Sequence, residues 1–139
     1  MADPLVSVAF DPKTLMIAEN FLHFASFLDV EMAVAMQEIA TLLQNTAIDN
    51  TWSAFKNPTG ELASNVVGVV VGPYEADLQV NAPQAWRLEA GFVGADSLGR
   101  VYNNAPEPYA MPAVVSNEDA IIQLTEEAMF SAFDKAGGV

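Results

Sequence analysis

The sequence predicts an α+β protein in which N-terminal helices pack on a small, mostly antiparallel β-sheet, and a long ordered loop leads to a C-terminal helix. Three observations support this fold class. Apolar residues recur at helical spacing over about residues 12–54, the run VVGVVVG is followed by a strictly alternating run, and a capped amphipathic segment lies near the C-terminus. At 139 residues, the chain is expected to form a single domain, 1–139.

The N-terminal region begins with LVSVAF, Leu5–Phe10, which is predicted to be a short strand. Asp11 and Pro12 then provide an N-cap and a proline suited to the first helical position. A helix is predicted from Pro12 to about Phe27. It is apolar over most of its circumference, which indicates burial on several sides and leaves one side for a neighbouring subunit.

A second helix is predicted to begin at Asp29, whose side chain can serve as its N-cap. It should end either at about Thr46 or, if it continues, at Ala54. Met32, Met36, Ile39 and Leu43 recur at spacings of three and four, so the stripe that they form is assigned to the core.

The middle of the chain is predicted to form a β-hairpin. Lys56–Asn65 breaks the helix, Val66–Gly72 reads as a strand that is apolar on both faces, and Pro73–Asn81 alternates between apolar and polar residues. Gly72–Pro73 is a plausible connection between them. Ala82–Phe92 is ambiguous, since it fits either a short helical turn or a continuation of the sheet.

The segment at about residues 92–115 contains glycines and prolines but also several aromatic and aliphatic side chains, so it is predicted to be an ordered, extended loop. Ser116 is then expected to cap the last helix, with Glu118 and Asp119 in its first turn. Ile121, Leu124 and Ala128 should lie on one face of that helix. Glycines follow it and end it.

The charge balance restricts the possible partners. Eighteen acidic and five basic residues give a formal net charge of -13, and the basic residues are scattered. Binding of nucleic acid through its phosphates needs a basic patch, and binding to a membrane surface needs a basic helix. The sequence contains neither. Only 17% of residues are charged, against a typical ~25%, which indicates that part of the surface is covered by self-association.

Few residues suggest catalysis. The chain has no cysteine, which excludes disulfides and thiol chemistry, and its one histidine, His23, lies within an apolar helix and is expected to be partly buried. Asp96 and Ser97 are assigned to a side-chain-to-backbone turn. Arg87 and Glu89 are interpreted as a structural ion pair, either within one subunit or between subunits. No metal, cofactor or catalytic residue is therefore predicted.

Three ordered motifs carry a family resemblance. The first is the turn NPTGELASN, with Thr59, Gly60, Leu62 and Ser64 at its characteristic positions, and the second is AWRLEAGF, with Glu89 and Gly91. The third is the stretch GADSLGRVYNNAPEPYAMPAV, whose matching residues are Tyr102, Asn103, Pro106, Pro108, Tyr109, Pro112 and Ala113. In this order the motifs resemble the neck, or tail-completion, proteins that join head to tail in long-tailed bacteriophages. The resemblance covers roughly Asp29 to the C-terminus.

The resemblance implies a structural virion protein without enzymatic activity. Members are similar in fold to subunits that form rings, usually hexameric, around the channel through which DNA passes. The implied partners are further copies of the chain, a portal, connector or head-closure protein on one side, and a tail terminator or tail-tube protein on the other. The implied location is the virion neck, assembled in the host cytoplasm. DNA would pass through the lumen without specific binding, repelled by acids such as Glu75, Asp77 or Glu126.

Under this interpretation the loop is an interface arm that lies on an adjacent subunit or on a stacked ring. The residues assigned to that interface are Trp86, Arg87, Glu89, Phe92, Leu98, Tyr102, Pro106, Pro108, Tyr109, Met111 and Pro112. Glu61 and Met111 stand where family members often carry basic residues.

Other functions stay open. Within the same class, the chain could be the tail terminator proper. In a different class, it could be a small α+β dimer that binds an apolar ligand between its helices and sheet. An enzyme using Glu89 or His23 as an acid or base ranks last, because neither has a visible partner.

Overall fold

The computed structural model describes residues 5–7, 11–55 and 60–138. It is an α+β fold, as predicted. In chain order the elements are α1 (Pro12–Ala54), α2 (Glu61–Ser64), β1 (Val66–Gly72), β2 (Glu75–Val80), α3 (Ala85–Ala90), β3 (Phe92–Ala95), β4 (Val101–Asn104), α4 (Ala110–Ser116) and α5 (Glu118–Lys135).

Helix α1 is the central element of the fold, and it is one continuous helix of 43 residues. The predicted break near Leu28 and Asp29 was wrong. Neither glycine nor proline occurs between Pro12 and Ala54, and a single aspartate is not enough to end a helix. The Asp29 carboxylate instead accepts a hydrogen bond of 2.7 Å from the Tyr74 hydroxyl, which raises the pKa of Tyr74.

The other N-terminal expectations are also revised. Leu5–Ser7 is not in a strand, and the rest of the predicted strand, residues 8–10, lies outside the described residues. His23 is exposed on α1 rather than partly buried. A helix that is apolar all round had suggested burial of this histidine, but no described element packs over the side of α1 that carries it.

Strands β1 and β2 form the predicted antiparallel hairpin, with Val66 opposite Val80 and Gly68 opposite Leu78. The strands are joined at Pro73 and Tyr74, as Gly72–Pro73 had indicated. The hairpin packs on α1 because Gly68 has no side chain: a Cβ there would lie 2.1 Å from the Ala40 carbonyl oxygen. The Gly68 N–H also donates to Gln44 Oε1 at 2.9 Å.

The core follows α1 in two clusters. The first contains Met36, Ile39 and Leu43, onto which β1, β2 and α5 pack, so the predicted stripe is confirmed as core. The second surrounds Ala47 and Tyr109 and joins α1 to α2, α3 and α4.

Helix α5 runs along α1, and Ile121 and Leu124 pack against the first core cluster as predicted. Near the C-terminus of α5, Lys135 forms an ion pair with Glu31. The Phe133 ring packs edge-on against the Phe24 ring, with the ring centroids 6.4 Å apart. Contact with α5 extends back along α1 as far as Asn20, which lies beside Gly137.

Residues 92–115 are not a long loop. They contain the antiparallel hairpin β3–β4 and most of helix α4, in the order hairpin, connection and helix. Most apolar residues in this stretch belong to strands or to α4, and Tyr109 lies in the core just before α4, which explains why the stretch contains aromatics despite its glycines and prolines. Ser116 is the last residue of α4 and not the cap of α5. Asn117 occupies that position, and its amide donates to Thr46 Oγ1 at 3.0 Å and to the Ala113 carbonyl at 2.7 Å.

Candidate interaction surface

Glu89 on α3 holds the N-terminus of α4. Its Oε2 accepts hydrogen bonds from the backbone N–H groups of Tyr109 at 2.9 Å and Ala110 at 3.0 Å, and its Oε1 accepts one from Met111 at 2.8 Å. The first N–H groups of a helix lack partners within it, so a carboxylate from another element satisfies them and meets the positive end of the helix dipole. Glu89 is thus a cap supplied from a distance in sequence.

The ionisation of Glu89 reflects this role. Half-burial of the carboxyl group opposes its charge, but the backbone N–H donors of Ala110, Tyr109 and Met111 outweigh burial and hold its pKa below the ordinary value of 4.5. Both carboxylate oxygens of Glu89 are engaged by backbone N–H donors, which is the geometry of a structural carboxylate.

The predicted pair between Arg87 and Glu89 does not form within the chain. The Arg87 guanidinium lies over the Phe92 ring instead, with Cζ 4.1 Å from the ring centroid. Arg87 and Glu89 are two positions apart on one helical turn and therefore point in different directions. The cation–π contact ties α3 to the first residue of β3.

Tyr109 is a core residue, with 1% of its surface exposed. Its hydroxyl donates to the Ala85 carbonyl at 3.2 Å, and its own carbonyl accepts from Asn50 Nδ2 at 3.0 Å. Burial, together with the nearby negative charge of Glu89, raises the pKa of Tyr109 to about 12. Its ring is packed edge-on against Phe55 in the same chain, so it is not available to a neighbouring subunit.

The chain returns close to itself at Gly91. This residue has a φ of 78°, and a Cβ there would lie 2.9 Å from both the Asn104 carbonyl oxygen and the Pro106 nitrogen. The Glu107 N–H then donates to the Leu88 carbonyl at 2.9 Å. Glu89 and Gly91, which share one motif, therefore act together: one holds α4 and the other lets the base of the hairpin close.

The β3–β4 hairpin is held at its turn by Asp96. The Asp96 Oδ1 accepts from the backbone N–H groups of Leu98 and Arg100, each at 2.9 Å, which confirms the predicted side-chain-to-backbone turn at this residue. Its Oδ2 accepts from Arg100 Nε at 2.5 Å and from the Tyr102 hydroxyl at 3.2 Å. One side chain therefore organises the whole turn.

The two faces of this hairpin differ. On one face, Phe92 and Tyr102 contact each other with ring centroids 6.0 Å apart. On the other face, Val93 is 78% exposed and Val101 is 83% exposed. Ala95 lies opposite Val101 in the ladder and two residues after Val93 on the same strand. Leu98 at the turn is 76% exposed. An ordered hairpin thus presents an apolar face that no other described part of the chain covers.

The residues predicted for the interface divide into three groups. Glu89 and Tyr109 are engaged inside the chain. Phe92, Tyr102 and Pro112 are half-buried, and the exposed residues are Trp86, Arg87, Leu98, Pro106, Pro108 and Met111. Sequence reasoning missed Val93 and Val101, although the alternation on either side of the DSLG turn could have identified a hairpin and its outer face.

The turn motif also has a structural role. Leu62 is buried at 7% exposure in the second core cluster, and Ser64 Oγ donates to the Glu61 carbonyl at 2.9 Å. Gly60 lies against the Trp52 ring, since a Cβ there would be 3.1 Å from Trp52 Cη2. Thr59 lies outside the described residues.

A groove of about 670 Å³ lies between α1, β2, α4 and α5. Its floor contains Met36, Ile39 and Leu43. Glu89 and Met111 also line the groove. Among the described residues, no three histidine, aspartate or glutamate side chains gather as metal ligands. No helix in this part of the chain is long and apolar enough to cross a membrane.

Comparison with known proteins returned no relative: neither a family model, nor a curated protein, nor a solved structure matches this chain.

Proposed function

We propose that this chain is a structural subunit of the head–tail interface of a long-tailed bacteriophage, where copies form a ring around the DNA channel between the connector and the tail tube. The ring would be six-membered, as the family resemblance implies. The partners are a portal, connector or head-closure protein on one side and a tail terminator or tail-tube protein on the other. No catalysis is required of such a subunit.

The observation that carries the proposal is the ordered, uncovered β3–β4 hairpin. A two-stranded hairpin is at best marginally stable alone, and this one exposes Val93, Leu98 and Val101 almost fully. Contiguous apolar surface of this kind marks a site of interaction, and contact with another protein is the reading that fits the family resemblance. The hairpin lies within the stretch that resembles the family: it begins at the last residue of the AWRLEAGF motif, and its turn and second strand belong to the proline-containing motif.

The charge of the chain supports a passive role toward DNA. With a formal net charge of -13, the surface repels phosphates rather than binding them. Glu75 and Glu126 are exposed, and Asp77 is half-buried. We expect acidic side chains such as these to line the lumen.

Electron microscopy tests the proposal. The purified chain, alone or with its connector or tail tube, should form annular particles with a central channel. In the phage that encodes it, deletion of the gene should leave DNA-filled heads and finished tails unjoined. A chain that stays monomeric in every one of these settings, with joined particles in its absence, would refute the proposal. Stable association with isolated tail tubes alone would identify it as the tail terminator.

The groove beside Met36 and Ile39 favours a second candidate, a dimer that holds an apolar ligand. Its volume suits a small molecule, and its floor is aliphatic. Native mass spectrometry separates the two candidates. A dimer that copurifies with a small apolar compound supports ligand binding, whereas a larger ligand-free oligomer supports the ring.

A further inference from the structure

The core-facing stripe of α1 continues past the elements that cover it. Ile39 and Ala40 are 4% and 1% exposed under the sheet. Phe21 and Leu22 lie eighteen residues before them, five turns of about 3.6 residues, and therefore point in the same two directions. Yet Phe21 is 58% exposed and Leu22 is 72% exposed. This part of α1, residues 12–28, is termed here the free end of α1. Phe133 and Gly137 contact it at Phe24 and Asn20, but no described element covers the core-type face that carries Phe21 and Leu22.

The β3–β4 hairpin presents the second uncovered surface. Because Ala95 and Val101 are directly opposite each other in the ladder, and Val93 lies two residues from Ala95, these three side chains share one face. This set is termed the outer hairpin face. The high exposure of Val93 and Val101 shows that the free end of α1 in the same chain does not cover it.

Charge separates these two surfaces from the rest of the chain. The free end of α1 contains one lysine and one glutamate, and residues 86–104 contain two arginines and two acids, so both segments are neutral. Together they hold three of the five bases and three of the eighteen acids, which leaves fifteen acids and two bases elsewhere. Two copies can therefore approach through these surfaces with little of the like-charge repulsion that acts between the acidic parts of the chain.

We propose that the outer hairpin face of one copy packs on the free end of α1 of the next copy. The partner that covers each surface is a second copy of the chain. Every copy carries one surface of each kind, and both are neutral and apolar, so each can cover the other. Contact between two different surfaces is heterologous, and repetition of such a contact closes a ring when the rotation permits. This inference rests on the proposed ring and names the contact that builds it.

Two variants that each remove one surface test the pairing. Leu22→Glu places a charge on the free end of α1, and Val101→Glu places one on the outer hairpin face. Leu22→Met and Val101→Thr are the matched controls, since they keep the apolar or the β-branched shape. Both sites are exposed in the single chain, so circular dichroism should show unchanged folding. Phe21→Glu replaces Leu22→Glu if helix content falls.

Sedimentation then gives a distinctive result. Each glutamate variant alone should sediment as a monomer of 14.9 kDa, and both controls should assemble like the wild type. An equimolar mixture of the two glutamate variants should form a dimer of about twice that mass, because one intact hairpin and one intact helix remain to pair. Helix–helix or hairpin–hairpin association does not produce this complementation.

Cross-linking provides a second measurement. The chain contains no cysteine, so Leu22→Cys and Val101→Cys chains carry a single thiol each. A short bifunctional maleimide should link a Leu22→Cys chain to a Val101→Cys chain several-fold more efficiently than it links two identical chains.

The outcomes distinguish this inference from the proposed function. A wild-type ring whose glutamate variants still assemble, or stay monomeric when mixed, overturns the pairing but leaves the ring. A wild-type dimer whose variants complement each other supports the pairing and overturns the ring. A wild-type monomer overturns both; if it then sediments with phosphatidylcholine vesicles unless Leu22 is changed to glutamate, the free end of α1 binds lipid instead.

Discussion

At the residue scale, Glu89 contributes most to the local structure. It is half-buried, and all three of its hydrogen bonds reach backbone N–H groups at the start of α4. Removing its charge should therefore loosen the contact between α3 and α4. The same carboxylate lines the groove beside Ala110 and Met111. By holding the start of α4, it therefore also helps to form the wall of that groove.

Glu89→Gln should lower the free energy of unfolding by about 1–2 kcal/mol at neutral pH, in the range of lost caps and charge-assisted hydrogen bonds. Chemical denaturation measures this change. Glu107→Gln, at an exposed acid nearby, is the control and should change stability little. Equal effects of the two substitutions would contradict the role of Glu89.

The pH dependence of this difference has a definite sign. Because the pKa of Glu89 in the folded chain lies below its ordinary value of 4.5, its stabilisation is complete above about pH 4.5 and is lost as pH falls through the lowered pKa. The gap in unfolding free energy between wild type and Glu89→Gln should therefore narrow on acidification. A gap that widened toward low pH would show that another group is responsible.

At the element scale, two features stand out: the docking of β1 on α1 and the turn of the β3–β4 hairpin. Gly68 lets the backbone of β1 approach α1 more closely than any residue with a side chain would allow. Asp96 fixes the turn of the hairpin through four hydrogen bonds. The first feature concerns global stability, and the second concerns local order.

Gly68→Ala should destabilise the fold by about 3 kcal/mol or more, since its Cβ would meet backbone atoms that cannot move aside. Gly72→Ala is a matched control on the same strand, because a Cβ there meets nothing within 4 Å. Thermal and urea unfolding of both variants measure the difference. Comparable stability of the two alanine variants would show that β1 can shift away from α1.

Asp96→Asn should loosen the hairpin without unfolding the protein. The amides of Leu98 and Arg100 should exchange hydrogen several-fold faster, because a neutral acceptor binds N–H groups more weakly than a carboxylate. Asp49→Asn, at an exposed aspartate of α1, is the control for loss of charge. Unchanged exchange at Leu98 and Arg100 would mean that the β3–β4 ladder alone holds the turn.

At the scale of the whole molecule, net charge and apolar surface oppose each other. The charge of -13 drives copies apart, while the free end of α1 and the outer hairpin face draw them together. The balance between these forces depends on salt, since screening weakens repulsion between exposed charges but leaves apolar burial in place.

Assembly should therefore strengthen when salt rises from about 0.05 M to about 0.5 M, over which the Debye length falls from roughly 14 Å to roughly 4 Å. We expect the dissociation constant of the oligomer to fall by about tenfold, or about 1.4 kcal/mol per contact. Analytical ultracentrifugation across the series measures this, with the Leu22→Glu monomer as control. Dissociation in high salt would instead indicate an interface of ion pairs.

Several elements could be predicted from sequence because their signals are local. The core stripe of Met36, Ile39 and Leu43 follows from spacing, and the β1–β2 hairpin follows from alternation. The length of α1 was misjudged because an aspartate resembles a cap when its neighbours in space are unknown. Tyr109 was assigned to an interface because an aromatic beside prolines gives no sign of the pocket, formed by α1 and α3, that receives it.

By itself, then, the sequence determined the fold class, the core face of α1, the first hairpin and the excess of negative charge, since each depends on composition or on residues near one another in the chain. Only the tertiary structure decided that Glu89 caps α4, that Tyr109 is internal, and that the free end of α1 and the outer hairpin face both expose apolar side chains. Those facts depend on contacts between residues that are distant in sequence. Whether a face of a helix or hairpin is buried depends on which other element packs against it.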